Sequence, residues 1–163
     1  MNKIVVAALA SCIVSSAAWA EDQKPESFLV VELANSAQIS DGVLTLDGVD
    51  GSVLAFSDRP YRDTKTLPLS AMIDNWSKGE NDLASDPPNA ALTGIVDGEE
   101  VGVVLELSGP KQTGEKLSFS VQQLAGPDVT ELQNVALMID DICINGTSYC
   151  LMTGSINDLG GGD

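Results

Sequence analysis

The sequence predicts an all-β fold, mainly an antiparallel sandwich or barrel, with one short α-helix. Apolar segments of strand length recur along the chain, and Asp-Gly or Gly-Pro pairs separate most of them. Only one stretch places its apolar residues at helical spacing. Many short strands between turn signals are typical of sandwiches and barrels.

The first twenty residues are typical of a secretory signal peptide. Lys3 begins a short polar start, an apolar stretch follows, and an Ala-Trp-Ala pattern ends at Ala20. The alternative is a lipoprotein signal cut before Cys12, but the apolar run continues through Val14, which favours cleavage after Ala20. We therefore expect export to the periplasm or the extracellular space. No later segment has the roughly 20 consecutive apolar residues of a membrane span.

The mature chain is strongly acidic. Cleavage after Ala20 leaves seven basic and 24 acidic side chains, which is a net charge of −17. Such a surface repels the phosphates of nucleic acids and anionic lipids, so neither is an expected partner. The carboxylates either keep the protein soluble or bind divalent cations. We expect one β-rich domain over residues 21–157 and a disordered glycine-rich tail over 158–163.

The predicted strands follow in order along the mature chain. In the segment 117–122, Leu117, Phe119 and Val121 alternate with polar residues, which indicates one buried and one solvent-exposed face. Chain reversals are expected at the Asp-Gly and Gly-Pro pairs, including Gly109-Pro110. The predicted strands are 28–34, 43–47, 52–57, 91–96, 101–107, 117–122, 135–143 and 149–153.

A two-turn helix is predicted between the third and fourth of these strands. Ser70 is its expected N-cap and Gly79 its expected end. Trp76, the only tryptophan outside the signal peptide, is expected to pack against the sheet. An extended connector follows over 85–90, because both prolines fix the backbone. The apolar residues at helical spacing are Leu69, Met72, Ile73 and Trp76.

Two cysteines, Cys143 and Cys150, remain after signal cleavage. In an oxidising compartment this pair allows a single intramolecular bridge, and Asn145-Gly146 between them is a turn signal. If the two cysteines face each other, the turn between them is the four-residue Asn-Gly-Thr-Ser loop. We expect a Cys143–Cys150 disulfide that stabilises a local hairpin.

Signals for catalysis are few, and the chain contains no histidine. Histidine-based triads and the usual nitrogen ligands of zinc are therefore excluded. Ser108 and Lys111 match the S-x-x-K pattern of penicillin-binding enzymes, but that pattern needs a helix start and Gly109-Pro110 predicts a turn. No cofactor is predicted. Calcium stays as an alternative, with the loop aspartates Asp41, Asp47 and Asp50 as metal candidates, although each also precedes a glycine as a turn former.

The segment VLAFSDRPYR, residues 53–62, combines an apolar strand with an abrupt polar end. Asp58 suits the capping of backbone N–H groups in the turn, and Arg59, held extended by Pro60, can pair with a carboxylate. A turn fastener is one interpretation. In the other, Arg59 and Arg62, with Asp58, form a cationic site on an anionic surface that holds a carboxylate or phosphate ligand.

Four segments carry a resemblance to a known family: AFSDRPYR (55–62), DNWSKG (74–79), SDPPNAAL (85–92) and ALMIDDI (136–142). They resemble the landmarks of a family of small exported bacterial proteins with a Phe-Ser-Asp-Arg-Pro signature. The resemblance covers residues 28–142. It implies export and no established activity, cofactor or ligand, and the cysteine loop after Ile142 departs from the family pattern.

Two functions remain open at this point. The first is a non-enzymatic exported or envelope-associated module that binds a protein or a small anionic ligand around Arg59 and Arg62. The second is a carboxylate-dependent protein, either calcium-binding or enzymatic, that uses the Asp41, Asp47 and Asp50 loops.

Overall fold

The computed structural model describes residues 27–57, 62–78 and 83–143. Within these ranges the chain forms strands that are joined mostly by tight turns, and one short helix. The elements in chain order are β1 (Ser27–Ser40), β2 (Val43–Asp47), β3 (Ser52–Ser57), β4 (Thr64–Pro68), α1 (Leu69–Asn75), β5 (Asn89–Val96), β6 (Glu99–Thr113), β7 (Lys116–Ala125) and β8 (Glu131–Cys143).

All strand pairs are antiparallel, and six of the strands close into a ring. β1 pairs with β8 along one edge. Along its other edge, the first part of β1 pairs with β3 and the last part of β1 pairs with β2. From β2 the pairing continues through β7, β6 and β5 back to β8. The β3–β4 hairpin extends the sheet beside β1. The predicted antiparallel all-β class is confirmed, and the closed pairing is that of a barrel.

The core fills the inside of the ring because successive strand residues point to opposite faces. Leu44 and Leu46 of β2 and Leu105 and Leu107 of β6 are fully buried. Trp76, at the C-terminus of α1, is also buried, and its ring lies 5.6 Å from that of Phe119 on β7. The predicted packing of this tryptophan against the sheet is confirmed.

Two of the predicted Asp-Gly turns have the expected geometry. Asp41 and Gly42 both have positive φ, as do Asp97 and Gly98, which matches the type I′ turns that suit two-residue hairpins. The expected turn at Gly109-Pro110 is wrong. These residues lie inside β6, where one extra residue between Ser108 and Lys111 forms a β-bulge and Gly109 takes a φ of 58°. Both a β-bulge and a tight turn use a glycine with positive φ, so the local sequence does not distinguish between the two structures.

The helix is present, but its predicted N-cap is wrong. Pro68 precedes the first turn without a side-chain cap, and Ser70 lies within α1. Leu69 begins the helix, and its N–H donates to the backbone oxygen of Gly51, so tertiary contact replaces the cap. Among the described residues, no helix has the length and apolar character needed to cross a membrane.

Candidate ligand-binding site

Several strands end at the same side of the sheet, next to the β3–β4 connection. The register places Phe28 of β1 opposite Ser57, the last residue of β3, and opposite Ile142 near the end of β8. Ala90, one residue into β5, lies opposite Ile139 of β8. The ends of β3 and β8 and the starts of β1, β4 and β5 therefore meet. We call this side of the sheet the Ser57 end.

Three of the four segments that carry the family resemblance converge on the Ser57 end. Segment 55–62 runs along β3 into the β3–β4 connection, segment 85–92 enters β5 at Asn89, and segment 136–142 forms the last part of β8. Segments 85–92 and 136–142 are neighbours because β5 pairs with β8. These segments are far apart in the chain, and only the strand register brings them together.

A hydrogen-bonded pair closes the β3–β4 connection at the Ser57 end. The N–H of Ser57 donates to the backbone oxygen of Asp63, and the N–H of Asp63 donates to Oγ of Ser57, both at 2.9 Å. Ser57 is buried, so its hydroxyl is a fixed acceptor. Ser57, which the sequence analysis did not select, fastens this turn. Asp58 and Arg59, expected to do so, lie outside the described residues.

Arg62 is exposed at the Ser57 end and adopts a left-handed backbone with a φ of 59°. That conformation is unfavourable for a side chain of this size, so the connection holds Arg62 in it. The structure shows no ion pair for Arg62 with any other described residue. Lys65, three residues further on, places its Nζ 4.7 Å from the centre of the Phe28 ring in a cation–π contact. Two basic residues, Arg62 and Lys65, thus lie in the connection and directly after it.

The structure does not bring the three metal candidates together. Asp41 lies in the turn before β2 and Asp47 at the opposite end of that strand. Oδ2 of Asp47 is 2.5 Å from Nζ of Lys116, and this hydrogen bond lowers the pKa of the exposed Asp47 carboxyl. Asp50 lies beyond β2, beside a different carboxyl group, that of Glu32. Within residues 27–57, 62–78 and 83–143, no three acidic or cysteine side chains form a metal-binding group.

Glu32 is a buried carboxyl group inside the ring, and it is not among the site residues predicted from the sequence. Its side chain is 2 % exposed, and its Oε2 has no hydrogen-bond partner. Burial raises the pKa of Glu32 from 4.5 to about 7; the negative charge of Asp50 adds to this rise, and the backbone N–H of Asp50 offsets part of it. The sequence does contain a signal for its burial: side chains alternate along a strand, so Glu32 lies on the same face of β1 as Phe28.

The remaining predicted positions lie mostly outside the described residues. The backbone of Cys143 ends β8 opposite Ser27, whereas Cys150 lies outside the described ranges, so the Cys143–Cys150 disulfide stays a prediction. The signal segment with its cleavage at Ala20, the alternative lipidation at Cys12 and the tail 158–163 also lie outside them.

Comparisons with known proteins add no assignment. No family model, no curated protein and no solved structure matches this chain.

Proposed function

We propose that the mature chain is an exported, non-enzymatic module that binds a small anionic ligand, or an anionic group of a partner, at the Ser57 end. Arg62, with Arg59 from the same connection, supplies the positive charge in this proposal. The observation that carries it is the convergence of three distant segments on one end of the sheet, next to Arg62.

The charge distribution supports an anionic ligand at this position. Arg59, Arg62 and Lys65 are three of the seven basic side chains outside the signal peptide, and they lie within seven residues of sequence. Elsewhere the surface is dominated by carboxylates, which repel an anion. A guanidinium presents several N–H donors in one plane, which matches the oxygens of a carboxylate or a phosphate.

The backbone geometry supports a preorganised arginine. Asp63 is hydrogen-bonded to Ser57 through two contacts, and Arg62 directly precedes it. The backbone of Arg62 is therefore held next to the end of the paired strand β3. Less conformational freedom of the backbone is then lost when a ligand binds.

The test is a titration of the ¹⁵N-labelled mature protein with inorganic phosphate and, separately, with citrate. We expect the amide shifts to change in the β3–β4 connection, at the start of β5 and at the end of β8. Arg59→Gln and Arg62→Gln should each weaken the affinity by about tenfold, the effect of losing one charge-assisted contact. Lys111→Gln, which removes an exposed charge on β6, is the matched control and should leave the affinity unchanged.

Two results would contradict the proposal. The first is a titration in which neither anion shifts these amides, or in which the arginine variants bind as the unmodified protein does. The second is turnover on a panel of hydrolase and transferase substrates that is abolished by changing one acidic residue, because this would make the chain an enzyme.

A further inference from the structure

A carboxyl group occupies a gap in the strand pairing of the ring. β1 pairs with β3 as far as Val31 and with β2 from Ser36 onward, so residues 32–35 have no strand partner on that edge. Glu32 lies at this gap with its side chain on the buried face, and its Oε2 makes no hydrogen bond. An ionised carboxylate is costly in such a position, because Oε2 is left unsatisfied and the backbone N–H of Asp50 stabilises the charge only in part.

The connection between β2 and β3, residues 48–51, covers the gap. Its first two N–H groups, those of Gly48 and Val49, both donate to the backbone oxygen of Glu115 at 3.0 Å. Val49 is buried, and the backbone oxygen of Gly51 accepts the N–H of Leu69 at the start of α1. Gly48 packs so closely on Asn35 that a Cβ would overlap the amide side chain. The connection is thus closed tightly over β1, and a few contacts hold it there.

The groups that face Glu32 compensate a negative charge only in part: the backbone N–H of Asp50 stabilises the ionised carboxylate, but burial and the negative charge of Asp50 outweigh it. Asp50, on the connection itself, is the charged side chain that acts on Glu32, and it repels a second carboxylate. Lys116 on β7 is engaged by Asp47, Lys65 on β4 lies over Phe28, and neither affects Glu32. Glu115 contributes a backbone oxygen to the connection. The remaining elements present apolar side chains to the core: Val53 from β3, Leu137 from β8, Leu105 from β6, Leu117 from β7 and Met72 from α1.

We propose that Glu32 is a proton-dependent latch, whose neutral carboxyl group allows residues 48–51 to close over the gap and whose ionisation releases them. An ionised Glu32 needs water, and displacement of the connection that covers the gap would admit it. Repulsion from Asp50 acts in the same direction, because Asp50 moves away with the connection. The pKa of about 7 places this change in the neutral pH range.

The latch is separate from the anion site proposed above. Residues 48–51 precede Ser52 at the start of β3, whereas Ser57 ends the same strand, about 17 Å away at the usual rise per residue. Opening of the connection also removes the partner of the Leu69 N–H, so the first turn of α1 is loosened together with it. Failure of either proposal leaves the other intact.

The test is amide hydrogen exchange of the mature protein, followed by NMR and corrected for the intrinsic pH dependence of exchange. We expect protection of the Val49 and Asp50 amides to fall by more than about tenfold between pH 5.5 and pH 8, because the connection opens locally. In Glu32→Gln, which keeps the shape and stays neutral, protection should be constant. In Asp50→Asn the fall should be smaller and should end at a lower pH, since loss of the Asp50 charge lowers the pKa of Glu32 in the closed state.

A matched control and a direct titration complete the test. Glu115→Gln keeps the backbone oxygen that holds the connection, so the transition should keep its midpoint. The proposal is overturned if Glu32→Gln shows the same loss of protection as the unmodified protein. It is equally overturned if the side-chain ¹³C signal of Glu32 titrates near the ordinary glutamate value, about pH 4.3.

Discussion

Two buried polar side chains, Glu32 and Ser57, differ in how their polar atoms are satisfied. Oγ of Ser57 accepts the N–H of Asp63, so its burial leaves the connection hydrogen-bonded. Oε2 of Glu32 has no partner and is placed beside the like charge of Asp50. The first arrangement stabilises a turn at any pH, whereas the second destabilises the folded chain once the carboxyl group loses its proton.

Glu32 makes the stability of the protein depend on pH. Its pKa is about 7 in the folded chain against 4.5 ordinarily, so its contribution is fully present below pH 4.5 and is lost as the pH rises through 7. The loss is at most about 3 kcal/mol, and it is smaller if the connection opens to admit water. Urea unfolding at both ends of this range should show a lower free energy of unfolding at the higher pH.

Glu32→Gln isolates this effect from the other carboxylates. The variant keeps every other acidic group, so the difference in unfolding free energy between the variant and the unmodified protein reports Glu32 alone. We expect the variant to gain relative stability as the pH rises from 4.5 to 7. A difference that is the same at every pH would show that Glu32 titrates alike in the folded and unfolded chains.

Ser57→Ala should destabilise the protein by about 1 to 2 kcal/mol, because the partly buried Asp63 N–H loses its side-chain acceptor. Ser120→Ala is the matched control, since Ser120 is an exposed strand serine on β7 and should change stability by less than about 0.5 kcal/mol. The measurement is thermal and urea unfolding of both variants. Equal stability of the two would mean that the Ser57 hydroxyl does not fasten the β3–β4 connection.

Among the elements, the β2–β3 connection has the strictest backbone requirement. Gly48 has a φ of 75° and lies against Asn35, whereas Gly51, in the same connection, has open space where a Cβ would be added. Gly48→Ala should therefore cost at least about 2 kcal/mol through backbone strain and the contact with Asn35. Gly51→Ala should be near neutral. Comparable unfolding free energies for the two variants would contradict the close packing of the connection on β1.

Most elements could be predicted from their sequence pattern, but β4 could not. Its sequence, Thr-Lys-Thr-Leu-Pro, contains one strongly apolar residue and ends in a proline that reads as a break. Pairing with β3 at one edge of the sheet makes it a strand. In β3 the face that packs inward was also not evident from the sequence: Val53 and Ala55 are buried, while the larger Leu54 and Phe56 are exposed.

At the scale of the whole molecule, the acidic composition opposes folding through self-repulsion. Lys116 and Asp47 form a short ion pair, and it is exposed. Raising NaCl from about 0.01 M to 0.3 M shortens the Debye length from about 30 Å to about 6 Å, so the melting temperature should rise at neutral pH. The rise should be smaller at about pH 4, where part of the carboxylates are protonated. A melting temperature that does not change with NaCl at either pH would show that charge repulsion does not lower the stability of the folded protein.

The candidate site shows the limit of sequence reasoning at this scale. Arg59 and Arg62 stand out by their charge, so the position of a cationic connection could be predicted. Its neighbours could not, because residues near 89 and 140 reach it only through the register of β1 with β3 and β8 and of β8 with β5. Register between distant strands depends on which faces are buried together, and no local pattern contains that information.

The sequence by itself determined the all-β class, two of the hairpin turns and the packing role of Trp76, because alternation and positive-φ pairs act over a few residues. Tertiary structure alone decided the closure of the ring, the gap in the pairing of β1 and the convergence at the Ser57 end. These depend on contacts between residues far apart in the chain. Glu32 depends on both: strand alternation places its carboxyl group inward, and contacts between residues far apart in the chain bury it.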